Sequence, residues 1–220
     1  ISYMQGQNKY EQLYGLNVKE LLATALSIPA KAVMMDNDAA CFLQGEVFAG
    51  AATAFEQQTV IGLTLGTGLG TAIYRNGKAS NADLWRIPFN NGIAEDFLSS
   101  TWCVSQYRSV TGRQLNGVHE LAARLPGDAD AKAVLEMFGQ QLANFLLLFI
   151  AREQPAAVCI GGNIAKAFSL FGSIVVDTIG HAHPQIPVFT SALGEEAMVL
   201  GAVASAVLPL QQTFPGTLSL

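Results

Sequence analysis

The chain has 220 residues, half of them hydrophobic and only 13% charged, enough apolar side chain for a sizeable core in one or two domains. Its net charge is −5 and it holds no basic run, which argues against nucleic acid as a partner of this segment. The three cysteines are scattered without a Cys-x-x-Cys pair, so neither a disulfide framework nor a cysteine-rich zinc site is indicated, and a reducing, cytoplasmic compartment fits.

In chain order, 18–26 has helical apolar spacing, with Asn17 as N-cap and Pro29 beyond the end. Residues 32–35 read as a short apolar strand. Asp36-Asn37-Asp38 ends it and opens a helix over 39–54, whose many Ala and Gly residues permit close backbone packing. A β-branched run, 59–64, reads as a strand. Leu65-Gly66-Thr67-Gly68-Leu69-Gly70-Thr71 then makes a Gly-rich turn into a second strand, closed by an Asn76-Gly77 turn. An irregular stretch, 79–91, carries Trp85, Pro88 and Phe89. Helices are predicted over 94–110, 117–124 and 129–151, with Gly112 a C-cap and Asp128 an N-cap. The longest apolar run, 142–151, is too short to span a bilayer and contains Asn144, so no membrane partner is expected.

Residues 157–160 read as a short buried strand ending in Gly161-Gly162-Asn163, followed by a helix over 164–179 and a strand over 186–189. Gly194-Glu195-Glu196 opens a small-residue helix through Val207, and a loosely ordered tail follows Pro209. Strands alternating with helices indicate an α/β class.

Three strand-to-turn junctions carry the chemistry: Asp36-Asn37-Asp38, Gly66-Thr67-Gly68 and Gly161-Gly162-Asn163. Ligands of α/β folds bind at the carboxyl ends of strands. A carboxylate can take a hydroxyl proton, and glycine-rich backbone can present N–H groups to phosphate oxygens. Each element also has a plainer reading. An acid after a strand is commonly a helix N-cap, a Gly-x-Gly turn is commonly only a turn, and Gly161-Gly162 also permits close strand–helix packing.

In order and content these motifs resemble the ROK family of bacterial sugar kinases, within the actin-like ATPase and hexokinase superfamily. The resemblance rests on Asn37-Asp38-Ala39-Ala40 with Gly45-Glu46, on Leu65 to Gly70 followed by Asn76-Gly77-Lys78, on Ile160-Gly161-Gly162-Asn163-Ile164, and on Leu200-Gly201-Ala202. It implies a two-lobed actin-like ATPase (ribonuclease H-like) fold and an ATP- and Mg2+-dependent kinase acting on a hexose or amino-hexose hydroxyl. By the same resemblance Asp38 is the catalytic base and Asn37 a sugar ligand. Gly66, Thr67 and Gly68 contact phosphates, and Gly161, Gly162 and Asn163 line the nucleotide cleft.

The family's opening Asp-x-Gly-x-Thr motif is absent, and the chain begins at Ile1 in mid-pattern. The N-terminal part is therefore expected to be missing, leaving this fragment inactive alone. Expected divisions are 1–57 (remainder of the small domain), 58–192 (large domain) and 193–220 (a helix returning to the small domain, plus tail). The family's cysteine-rich zinc motif is absent, and its Gly-Glu-x-Gly-His sugar segment is here Ala82-Asp83-Leu84-Trp85-Arg86. Asp83 and Glu95 are expected to form a sugar wall, with Trp85 or Phe89 covering an apolar sugar face; a loop pinned by its aromatics is the competing reading. Two further readings stay open: a non-catalytic sugar-sensing domain, as in the family's transcriptional repressors, and an assembly protein of the superfamily. The 129–151 helix offers a surface for a homodimer.

No structural zinc is expected, because a tetrahedral site would need about four ligands of Cys or His type and the three cysteines are scattered. Elemental analysis of tag-free protein should find far less than one zinc per chain; stoichiometric zinc would refute this expectation.

Overall fold

A computed structural model describes residues 11–213, with side chains described for 12–207. The chain divides into two compact units, Ile1–Asp36 and Asn37–Leu220.

In the first unit, α1 (Val18–Leu26) starts where the Asn17 side chain accepts from the Glu20 N–H and stops at Ser27, which is left-handed. A single 3-10 turn, Ala30–Ala32, follows. The short strand expected over 32–35 does not form. Val33 is extended and buried, but Met34 and Met35 are exposed, and no neighbouring strand pairs with them.

The second unit is built on a five-stranded sheet. Its strands are β1 (Val60–Leu65), β2 (Leu69–Arg75), β3 (Lys78–Asn81), β6 (Ala157–Gly161) and β7 (Val188–Thr190), in the order β3-β2-β1-β6-β7. The first three pair antiparallel, the β1–β2 hairpin as the Gly-rich turn predicts, while β6 and β7 join parallel to β1. β3 occupies the start of the stretch 79–91 expected to be irregular, because the Asn76-Gly77 turn carries the chain back along β2. Between the two groups lie the minor hairpin β4 (Pro88–Phe89) and β5 (Gly92–Ile93) and the helices α3 (Ala94–Phe97), α4 (Ser100–Thr111), α5 (Val118–Ala123) and α6 (Ala129–Glu153). The helix expected over 94–110 is two helices, because Ser99 caps a fresh start at Ser100, its hydroxyl accepting from the Trp102 N–H.

The strand period of two sorts the sheet's side chains into two cores. Val60, Ala72, Tyr74, Ala157 and Cys159 face α2 (Asp38–Ala49). Ile61, Leu63, Leu65, Val158 and Ile160 face the larger cluster, which contains Leu135, Phe138, Leu142, Phe145 and Phe149 of α6. Alone among the described residues, α6 is long and apolar enough to cross a membrane, but 56% of its apolar window is buried inside the protein.

α2 ends at Ala49 with Gly50 as its C-cap, short of the 54 expected, and the Glu46 carboxylate accepts from the Ala51 N–H at 2.8 Å just beyond. Glu46 is fully buried and also accepts from the Ala192 and Leu193 N–H groups, at 3.2 and 3.0 Å, and from the Ser191 hydroxyl. This charge, after burial itself, helps hold the Cys159 thiol well above its ordinary pKa.

The segment after β6 also departs from expectation. It is a 3-10 helix over Ile164–Leu170, then α7 (Gly172–Ala182), rather than one helix. The final helix, α8 (Glu196–Thr213), runs past Pro209, where looseness was expected; the rest of that tail lies outside the described residues.

α2 and α8 cross at bare backbone. A Cβ on Gly201 would lie 1.7 Å from the Cys41 carbonyl oxygen, and one on Gly45 would lie 2.0 Å from that of Ala197. Neither oxygen can rotate away. Gly201→Ala should therefore cost about 2 kcal/mol or more through overpacking, read by urea denaturation; a loss below about 0.5 kcal/mol would show that the helices separate freely.

Candidate functional site

Parallel pairing of β1 with β6, with Thr64 opposite Gly161, brings the turns after both strands to one end of the sheet. Their contact is close. Gly162 has φ +88°, and a Cβ there would lie 2.4 Å from the Leu65 carbonyl oxygen, so only glycine suits the position. Gly161 is buried, with the Phe42 ring of α2 2.3 Å from its missing Cβ. Helix-to-sheet packing accounts for Gly161, and Asn163 is the member of the trio that lines open space.

The 66–68 turn is fixed from several sides. The Gly66 N–H donates to the Gly68 carbonyl at 3.1 Å, and the Gly66 carbonyl accepts from the Ser100 N–H at 2.8 Å. Glu95 accepts from the Leu69 N–H at 2.9 Å, and its carboxylate fills the space beside Gly68, where a Cβ would meet it at 2.4 Å. Thr67 is exposed at the tip.

α2 begins at the same end. Its first buried residue, Ala39, lies 2.9 Å from where a Gly70 Cβ would stand. The Asn37 side chain accepts from the Ala39 and Ala40 N–H groups at 3.0 and 3.2 Å, a bidentate N-cap. Asp38 is exposed, with one carboxylate oxygen 2.9 Å from the Ala39 N–H.

Two other sugar-wall candidates are engaged. Asp83 is left-handed, at φ 55°; its carboxylate accepts from the Trp85 indole N–H at 2.8 Å and pairs with Arg86. Arg86 in turn lies over the Trp85 ring. This local knot hangs from β2, because the Leu84 N–H donates to the Thr71 hydroxyl at 3.0 Å. Phe89 cannot cover a sugar. It is buried edge-to-face against Phe97 and Phe145, because the β4–β5 hairpin folds it into the main core.

Beside the turns opens a cleft of about 500 Å³, lined by Gly66, Thr67 and Ser100 on one side, by Val118, His119 and Ala122 of α5 opposite, and by the 3-10 helix with Asn163. It joins predicted residues with several that carried no motif, notably Ser100, His119 and Lys166. No sequence signal marks these, since α5 and the 3-10 helix are short and their cleft faces are small and mixed. No three His, Cys, Asp or Glu among the described residues are placed to hold a metal ion. Burial pushes the Cys103 thiol up to about 12 and holds the Cys159 thiol well above its ordinary value, so neither is a ready thiolate.

No family model matches the chain. It is 27% identical over 185 residues to the N-acetyl-D-glucosamine kinase of Shigella boydii, covering 70% of this chain and 60% of that protein. It is 28% identical over 209 residues to the glucokinase of Thermotoga maritima, covering 79% and 65%. The chain spans roughly 53 to 65% of the length of the curated relatives it matches.

In structure it resembles the ROK hexokinase of Thermus thermophilus (TM-score 0.76, 20% identity, 91% of this chain and 72% of that one). It also resembles the ROK glucokinase of Streptomyces griseus, solved with glucose and AMPPNP (0.67, 20%, 84% and 70%). A ROK transcriptional regulator homologous to the Escherichia coli MLC protein matches at 0.73, with 19% identity over 85% of this chain and 54% of that one. The fold is therefore the actin-like ATPase fold of these proteins, as the motif order implies.

Glu95 is the side chain that binds the turn to α3. Glu95→Ala leaves the Leu69 N–H without its acceptor, so it should cost about 1–2 kcal/mol of stability, measured by thermal denaturation. An unchanged melting temperature would mean that the carboxylate is not needed to shape the turn.

Proposed function

We propose that this chain is the greater part of a ROK-type sugar kinase, which transfers a phosphoryl group from ATP to a hydroxyl of a hexose or amino-hexose in the cytoplasm. One observation carries the reading: the helix start bearing Asp38, the 66–68 turn and the cleft between α5 and the 3-10 helix meet at one end of the sheet. The relatives named as N-acetylglucosamine kinase and glucokinase support it.

The residues suit the ligands. Val118, Ala122, Ile164 and Ala167 offer apolar walls to a base, and the Thr67 hydroxyl with the turn's backbone N–H groups suits phosphate oxygens. Mg2+ keeps phosphate and water oxygens as most of its ligands, so it asks little of the protein. Asp38 removes the proton of the sugar hydroxyl as that oxygen attacks the γ-phosphorus, and ADP leaves. Asn37, already fixed as the N-cap, holds Asp38 in register at the sugar.

A second reading, a sugar-sensing domain without catalysis, is favoured by two features. The Asp83 carboxylate is occupied by Trp85 and Arg86 rather than open to a sugar, and a regulator shares the fold.

Asp38→Asn in the full-length protein should lower turnover by at least about a hundredfold, within the usual worth of a general base, with no loss of stability because the residue is exposed. Near-normal turnover would remove Asp38 from catalysis, and a wild-type protein that binds sugar without phosphorylating it would favour the sensor. A Cβ on Gly66 meets nothing within 4 Å. Gly66→Val should therefore leave the fold intact while its side chain blocks phosphate, raising the ATP Kd about tenfold or more by calorimetry. Unchanged affinity would make the turn merely structural.

A further inference from the structure

We infer that Lys166, which pairs with Glu195, is the phosphate-side cation of the nucleotide cleft and exchanges that carboxylate for the polyphosphate of a bound nucleotide. This rests on the nucleotide reading above.

The 3-10 helix over Ile164–Leu170 repeats every three residues, so side chains three apart share a face. One row, with the preceding residue, is Asn163, Lys166 and Ser169; the next is Ile164, Ala167 and Leu170. Both rows line the cleft. Ala165 and Phe168 of the third row pack against the main core together with Ile164 and Ala167, which leaves Asn163, Lys166 and Ser169 as the row turned fully outward. The helix thus lays a polar edge beside an apolar edge along one wall, matching a ligand with a flat apolar base and a charged, oxygen-rich tail. The polar edge starts at Asn163, immediately after the junction that touches Leu65 and hence beside the 66–68 turn.

Among the described residues lining the cleft none is acidic, and Lys166 is the formal cation. In a chain of net charge −5, the positive charge that an anionic ligand group would meet in this cleft therefore lies on this wall. The Lys166 ammonium is 2.9 Å from Glu195, which lies outside the cleft lining, and the two side chains are 64% and 86% exposed. So exposed a pair contributes little net stability. A polyphosphate offers several charges at once in a partly enclosed space, and therefore outcompetes one solvated carboxylate.

Calorimetry on the full-length protein with ATP and with adenosine separates the possibilities, and circular dichroism confirms that each variant folds. Lys166→Ala should weaken ATP binding at least fivefold, leave adenosine affinity unchanged and flatten the salt dependence of ATP binding. Lys166→Arg should restore most of the loss. Glu195→Gln, which releases the lysine, should tighten ATP binding about twofold and leave adenosine alone. If Lys166→Ala binds ATP as the wild type does, the role of Lys166 is overturned while the nucleotide reading stands. Equal losses for ATP and adenosine also overturn it, because the lysine would then shape the wall rather than meet phosphate. A wild type that binds neither ligand overturns the nucleotide reading and this inference with it.

Discussion

The structure depends on how closely α2 is seated. One side of this helix lies on the sheet, where Leu43 meets Gly62, Phe42 meets Gly161 and Ala39 meets Gly70; another lies on α8, where Gly45 and Gly201 let carbonyl oxygens approach. Glycine removes Cβ atoms from both interfaces, so the helix sits at backbone distance, and interiors this dense do not absorb shifts smoothly. The buried Glu46 then ties the far end of α2 to the 191–193 loop that leads into α8. With both ends fixed, the direction of the helix start, and so of Asn37 and Asp38, follows from packing well away from the chemistry.

The opposite wall of the site is fixed differently, by hydrogen bonds to backbone. Ser100 holds the carbonyl of Gly66, and Glu95 holds the amide of Leu69. Thr71 holds the loop that carries Asp83. Each bond reaches from a later segment back to β2 or the turn before it. The long stretch between β3 and α4, which has little regular structure of its own, is ordered by clasping the hairpin. A turn held this way is shaped before any ligand arrives, which lowers the ordering cost of binding there.

Much of this was legible because backbone rules act locally. The β1 and β2 strands, the Asn17 and Asp128 caps and the Gly112 stop follow from turn and cap chemistry confined to a few residues, whereas the N-cap of α2 is Asn37 rather than the acid after it. What escaped depended on distant partners. Residues 32–35 have the apolar look of a strand but no strand beside them. Residues 94–110 have one helical pattern, yet Ser99 breaks it by capping. Phe89 could be read as a cover for a sugar face or as an anchor of its loop, and the hairpin that turns it into the core decides for the anchor. In the site, the glycine and acid motifs were visible, but the α5 and 3-10 walls of the cleft were not, since tertiary packing alone brings 118–122 and 164–170 against the 66–68 turn.

Every residue lining that cleft falls between Gly66 and Leu170, inside the second unit. The cleft therefore needs no domain closure to assemble its walls. Occupancy of such a pocket acts as a thermodynamic weight on one folding unit. A bound molecule raises that unit's unfolding free energy by mass action, in proportion to the logarithm of its concentration above Kd, whether or not a co-substrate is present.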